Sequence, residues 1–159
     1  MADRQVIRIA SYGTPIKEER AAGGVITPGH LVTINSSNAV VVHPTAGGNA
    51  QKAFADVDDM QGRTIDDNYA SGDRVHIWFA QQGERVNAIL KDGENVVIGD
   101  ALMSAGDGTL AKLVPDEIDS TDATDIIQSA KIVGYATHAL DLSGSSGVDP
   151  SARLIIRVA

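Results

Sequence analysis

A turn signature recurs along this chain and limits what it can fold into. Gly93 to Leu102 reads as a glycine, a short β-rich run, Gly99-Asp100, and then an apolar pair. It continues into Gly106-Asp107-Gly108-Thr109-Leu110. The same grammar stands in Gly23 to Val32 and in Ala70-Ser71-Gly72-Asp73-Arg74-Val75. Glycine reaches the positive φ that tight turns demand, and Asp can bond backbone two residues further on. Short β-branched runs punctuated in this way make a small β module. The spacing predicts an all-β fold, a small barrel or sandwich-like module with short helical excursions.

The rest of the chain fits that class. It has 159 residues, enough for one domain or one domain with an arm. Only 4% are aromatic, so the core must come from Val, Ile, Leu and Ala. Arg4 to Ala10 alternates as an edge strand. Residues 1–22 are either a semi-detached N-terminal arm or an ordinary first strand, ahead of a single β-rich domain over residues 23–159. Leu31 to Ile34 and Ala39 to Val42 flank Asn35-Ser36-Ser37-Asn38, four turn formers that predict a hairpin. Lys52 to Ala55 reads as a short strand.

Asp56 to Ala70 and Pro115 to Asp125 are polar and do not alternate. Each is expected to be a short helical turn or an irregular excursion. Arg74 to Ala80 and Arg85 to Lys91, around Gln81-Gln82-Gly83-Glu84, form the strongest predicted hairpin. On its first strand, Val75, Ile77 and Phe79 face one way, His76 and Trp78 the other. Ile126 to Leu142 is read as extended. Ser143 to Gly147 is read as a flexible loop leading to a last strand from Arg153 to Val158.

Charge and composition exclude several functions. The net charge of -8 opposes binding to a phosphate backbone, and no basic cluster offsets it. No nucleic-acid partner is expected. Acidity also favours solubility at high copy number. There is no cysteine, so disulfides, thiolate catalysis and Cys-based zinc sites are excluded. No apolar run approaches the roughly 20 residues of a membrane helix, and the start lacks an apolar leader core. The expectation is a chain made and folded in a cytoplasm, with no membrane partner.

Catalytic and metal patterns are sparse. His30, His43, His76 and His138 are scattered, with no His-Glu-x-x-His or His-x-His spacing. The acids from Asp116 to Asp125 lack the spacing of a calcium loop and read as a solvated segment. No Ser lies in Gly-x-Ser-x-Gly, and no glycine-rich stretch ends in Gly-Lys-Ser/Thr. No catalytic residue, metal ligand or cofactor is expected. Trp78, the only tryptophan, is read either as part of a second core face or as an interface anchor.

Met60 to Val75, with Gly83-Glu84-Arg85-Val86-Asn87-Ala88-Ile89-Leu90, resembles a stretch recurring in head decoration, or capsid cement, proteins of tailed bacteriophages. Gly93 to Leu102, Gly106 to Leu110, Val133-Gly134-Tyr135-Ala136 and Arg153 to Val158 extend the resemblance. It runs from about Val25 to Ala159. It implies a β-tulip-like module, often trimeric, on the outer surface of a capsid, whose partners are the major capsid protein and copies of itself. It transfers no catalytic residue, and no long Ala/Pro-rich N-terminal tail is present.

A chain left with only its surface acts by binding protein. Arg4, Val6, Ile7, Arg8 and Ile9 on the first strand, and Trp78, are the candidate interface residues, because an exposed edge can pair with a partner's edge. The alternatives are another phage head or tail subunit with the same β module, and a small β-barrel hydrolase or carbohydrate-binding module.

Overall fold

The chain's turns decide where its strands begin and end. The computed structural model describes residues 6–114, 131–144 and 152–159. Among them lie β1 Arg8–Ala10, β2 Ile16–Ala21, β3 Val32–Ile34, β4 Val40–Val42, β5 Ala53–Ala55, β6 Arg74–Phe79 and β7 Arg85–Ile89. They continue with β8 Asn95–Val96, β9 Ala101–Ser104, β10 Leu110–Lys112, β11 Gly134–Ala136, β12 Leu140–Asp141 and β13 Arg153–Val158. A 3₁₀ turn at Asp59–Gln61 lies in the first polar excursion, as expected. The second, Pro115 to Asp125, falls outside the described residues, as does the loop beyond Gly144.

The recurrent signature proves to be one turn used repeatedly. In Ala70–Asp73 and Val97–Asp100 the fourth amide donates to the first carbonyl, at 3.0 and 3.1 Å. The third residue is glycine, with φ near +89 and +88. That combination defines a type II turn, whose third position a side chain rarely tolerates. The sequence reading had each Asp bonding two residues ahead. Here Asp73 and Asp100 reach back instead, accepting from the amides of Ala70 and Val97 at 3.0 and 2.8 Å. Glu84 does the same for Gln81, and His30 for Thr27. Asp107 and Asn35 do reach forward two residues, to Thr109 and Ser37.

The strands build two units that share a wall. One sheet has the order β1-β7-β13-β11-β9-β10, and its longest pairing sets Arg153–Arg157 against Ile89–Arg85. The other unit joins β2-β6-β5 to the β3-β4 hairpin through single bridges at Ala22↔Val40 and Leu31↔Phe54. A lone bridge, Leu90↔Leu110, links the end of β7 to β10. None of these sheets closes into a continuous barrel, so the module is sandwich-like.

Two apolar cores follow. The smaller holds Ile26, Val32, Val40, Tyr69, Val75 and Ile77, with Phe79 against it. The larger holds Ile7, Val86, Leu102, Leu154, Ile156 and, from the other face of the second unit, Leu31, Phe54 and Trp78. Strand β6 is therefore apolar on both faces, with Val75 and Ile77 in one core and Trp78 in the other, as the alternation predicts.

The predicted hairpin of β6 and β7 does not form. β6 lies between β2 and β5, while β7 lies between β1 and β13. The turn between them is real, but it carries the chain from one sheet to the other. The Gly83 amide donates to Val158, and the Val158 amide donates to Glu84. The buried Glu84 carboxylate accepts from Tyr12 and Gln81. A strand that is apolar on both faces is best buried between two partners in its own sheet, and that need outweighs the short connection.

Candidate functional site

The predicted interface strand is an edge of the larger sheet, and its residues divide sharply. Val6 is 52% exposed, and Arg8 and Ile9 are half-buried. Ile7 and Trp78 are fully buried, so these two are core side chains and not surface anchors. Ile7 points into the larger core, and Trp78 pairs across β5 with Phe54. Arg4 lies outside the described residues.

A charged network holds this edge to the second unit. Arg8 Nε donates to Asp56 Oδ2 at 2.9 Å, and Lys17 Nζ lies 3.0 Å from the same oxygen. Asp56 is buried, and two cations with the Val57 amide satisfy its carboxylate. Its carbonyl accepts from the buried Tyr69 hydroxyl at 2.8 Å. Burial raises the Tyr69 pKa to about 12, so the phenol stays protonated. Arg63 lies 5.3 Å from the Tyr69 ring centre and bonds Asp73 and the Asn68 carbonyl. Val6, Arg8, Asp56, Val57, Asp59 and Arg63 frame a shallow cleft at this edge. Arg8, Asp56 and Arg63 are already paired there, and the exposed Asp59 carboxylate stands at the rim, so the cleft offers a contact surface.

Sequence reasoning missed one nucleophile–base pair. Ser104 Oγ lies 2.8 Å from His43 Nδ1, and His43 Nε2 lies 3.0 Å from the Asn49 carbonyl. A carbonyl can only accept, so Nε2 carries the proton and Ser104 donates to Nδ1. Ser104 also accepts from the Gly106 amide. Both side chains are buried, so this geometry pins the 43–49 loop to the end of β9. A spacing of 61 residues leaves no signal in the sequence.

His30 is a partly buried histidine with a different role. Burial lowers its pKa to about 4; Asp107 partly opposes this and Arg153 adds to it. The neutral ring accepts from Thr27 and closes a turn. The Arg153 guanidinium, itself nearly buried, donates to the carbonyls of Pro28 and Ile65 and ties β13 to two loops of the second unit. Among the described residues, no three His, Asp or Glu side chains cluster as metal ligands.

No protein-family model matches the chain, and no curated protein matches its sequence. A solved structure does match: the N base of head fiber gp8.5 in bacteriophage phi29. The match covers 92% of this chain and 95% of that one, at 11% identity and a TM-score of 0.54. At that identity the likeness is one of fold. The architecture is thus an all-β module that a bacteriophage head protein also uses.

Proposed function

We propose that this chain is a structural protein of a bacteriophage head, a decoration protein that binds the outer surface of the capsid. In this reading it bridges neighbouring major capsid subunits as a homotrimer and strengthens the shell without building it. The observation that supports it most is the fold likeness to a head-fiber base over nearly the whole of both chains. The surface supports it too. Arg8 and Lys17 at the β1 edge are paired with Asp56, and the Ser104–His43 pair is buried. The grip is assigned to the β1 edge, with Val6, Arg8 and Ile9 facing the shell and Arg4 just ahead of them. Three copies acting together need only modest contacts each, because the second and third bind at high effective concentration.

A second reading follows from the same neighbour: a base that anchors a projecting fiber to the head. Both predict binding to the shell. Adding the protein to bare expanded capsids and then heating them tests the proposal. Bound protein should raise the temperature at which particles break. Absence of binding would overturn both readings. Imaging decorated particles separates a low cap bridging subunits from the foot of a projecting fiber.

A further inference from the structure

One row of side chains crosses the outer face of the larger sheet in register. Arg85 on β7 stands directly opposite Arg157 on β13, Arg157 opposite Tyr135 on β11, and Tyr135 opposite Ala101 on β9. Both arginines are exposed, and Tyr135 is 40% exposed. Like charges directly opposite each other weaken a strand pair. Among the described residues, neither arginine has a carboxylate partner, whereas Arg8, Lys17, Arg20, Arg63, Arg74 and Lys112 each have one. The row places unneutralised positive charge on a chain whose net charge is -8.

An apolar groove adjoins it. Ile98, at the tip of the Val97–Asp100 turn, is 72% exposed and lines an open groove with Tyr135, Thr137 and Arg157. Val97 beside it is also exposed. Arginine with an aromatic ring and an aliphatic neighbour is the composition that interfaces favour.

We propose that the row Arg85–Arg157–Tyr135, with Ile98, docks a carboxylate-bearing surface of a second copy of this chain. The inference rests on the oligomeric part of the reading above and gives it a surface. Charge complementarity selects the occupant: 21 acidic residues against 13 basic ones make another copy a ready source of carboxylates. Two rows face to face would gather four guanidiniums, so a two-fold contact through this patch is disfavoured. The contact is heterologous, one copy's row against a different, acidic face of the next. Such contacts close into rings when the rotation allows.

The test measures self-association of the full chain by sedimentation, apart from any capsid. Wild type should form a closed oligomer that loosens at about 0.5 M salt, where exposed charges are screened. The double variant Arg85→Glu, Arg157→Glu should associate at least tenfold more weakly. The milder Arg85→Gln, Arg157→Gln pair should fall between them. The melting temperature of the Gln pair should stay level or rise, because it removes the repulsion across β7 and β13. That of the Glu pair should stay near wild type, because it exchanges one like-charge pair for another. Variants that assemble as wild type does would overturn the proposal. So would a wild type that stays monomeric while its double variant loses only shell binding, which would make the shell the occupant. Shell binding by monomeric double variant would leave the decoration reading intact.

Discussion

Ser104 Oγ lies 2.8 Å from His43 Nδ1, and both side chains are buried. The pair has the donor–acceptor order of a hydrolase nucleophile and its base, but both members are buried and brace a loop against β9. Ser104→Ala should leave a buried imidazole nitrogen without its donor, at a cost of about 1–3 kcal/mol. A denaturant titration reads that loss. A serine-directed phosphonate should leave the folded wild type unlabelled, and stoichiometric labelling would show that the loop opens.

Trp78 reports on the shared wall between the two cores. Because it is the only tryptophan and is fully buried, the native protein should emit in the blue and resist quenching by acrylamide. Binding to a shell should leave that emission unchanged. Trp78→Ala should cost about 3–5 kcal/mol, the range for emptying a large aromatic site. Strong quenching in the native state would contradict the burial.

His30 sets an acid slope. Its folded pKa is held down to about 4, from 6.5 when free. Between those values the unfolded chain takes up a proton that the folded chain refuses, so stability falls as pH drops from 6.5 and levels off below about 4. The upper bound is about 3 kcal/mol, from 1.36 kcal/mol per pKa unit. His30→Asn retains a side-chain acceptor and should flatten this part of the curve. Asp73, whose carboxyl the Ala70 amide holds below the usual range, adds a separate fall at lower pH. Thermal melts from pH 7 to pH 3 separate the two.

The β1 edge separates binding from folding within neighbouring residues. Val6→Asp should weaken binding to bare capsids at least tenfold with the melting temperature unchanged, since Val6 is exposed. Ile7→Ala should cost about 2–5 kcal/mol, because it empties a fully buried site in the larger core. If Val6→Asp binds as wild type does, the grip lies elsewhere on the surface.

The sequence carried local information well and long-range information poorly. Asn35 to Asn38 announced the β3–β4 hairpin because the turn chemistry lies in the turn itself, with the Asn35 side chain accepting from Ser37 and Ala39. The alternation of β6 told correctly which residues share a face. It could not tell which strand lies alongside. The partner β2 pairs Ile16 with Phe79, across more than sixty residues of chain, whereas β7 was only a turn away. The candidate interface shows the same limit: Val6 and Ile7 are both apolar, and only the three-dimensional packing decides which one meets solvent. Arg85 and Arg157 look unremarkable until register sets them side by side.

The first and last described strands flank the same neighbour. β1 and β13 both run antiparallel to β7, so they run parallel to each other with one strand between. β1 enters beside Asn87, midway along that neighbour, and runs towards Arg85, the end past which β13 leaves. A pull on β1 from its start and on β13 from its end therefore acts along the strand axes in opposite directions. Ladder bonds in antiparallel pairs lie across those axes. They take such a load in shear, all at once, and cannot be unzipped one after another. In a single-molecule stretching experiment the module should resist tension applied this way far better than tension applied across the β9–β10 hairpin, whose two ends leave side by side.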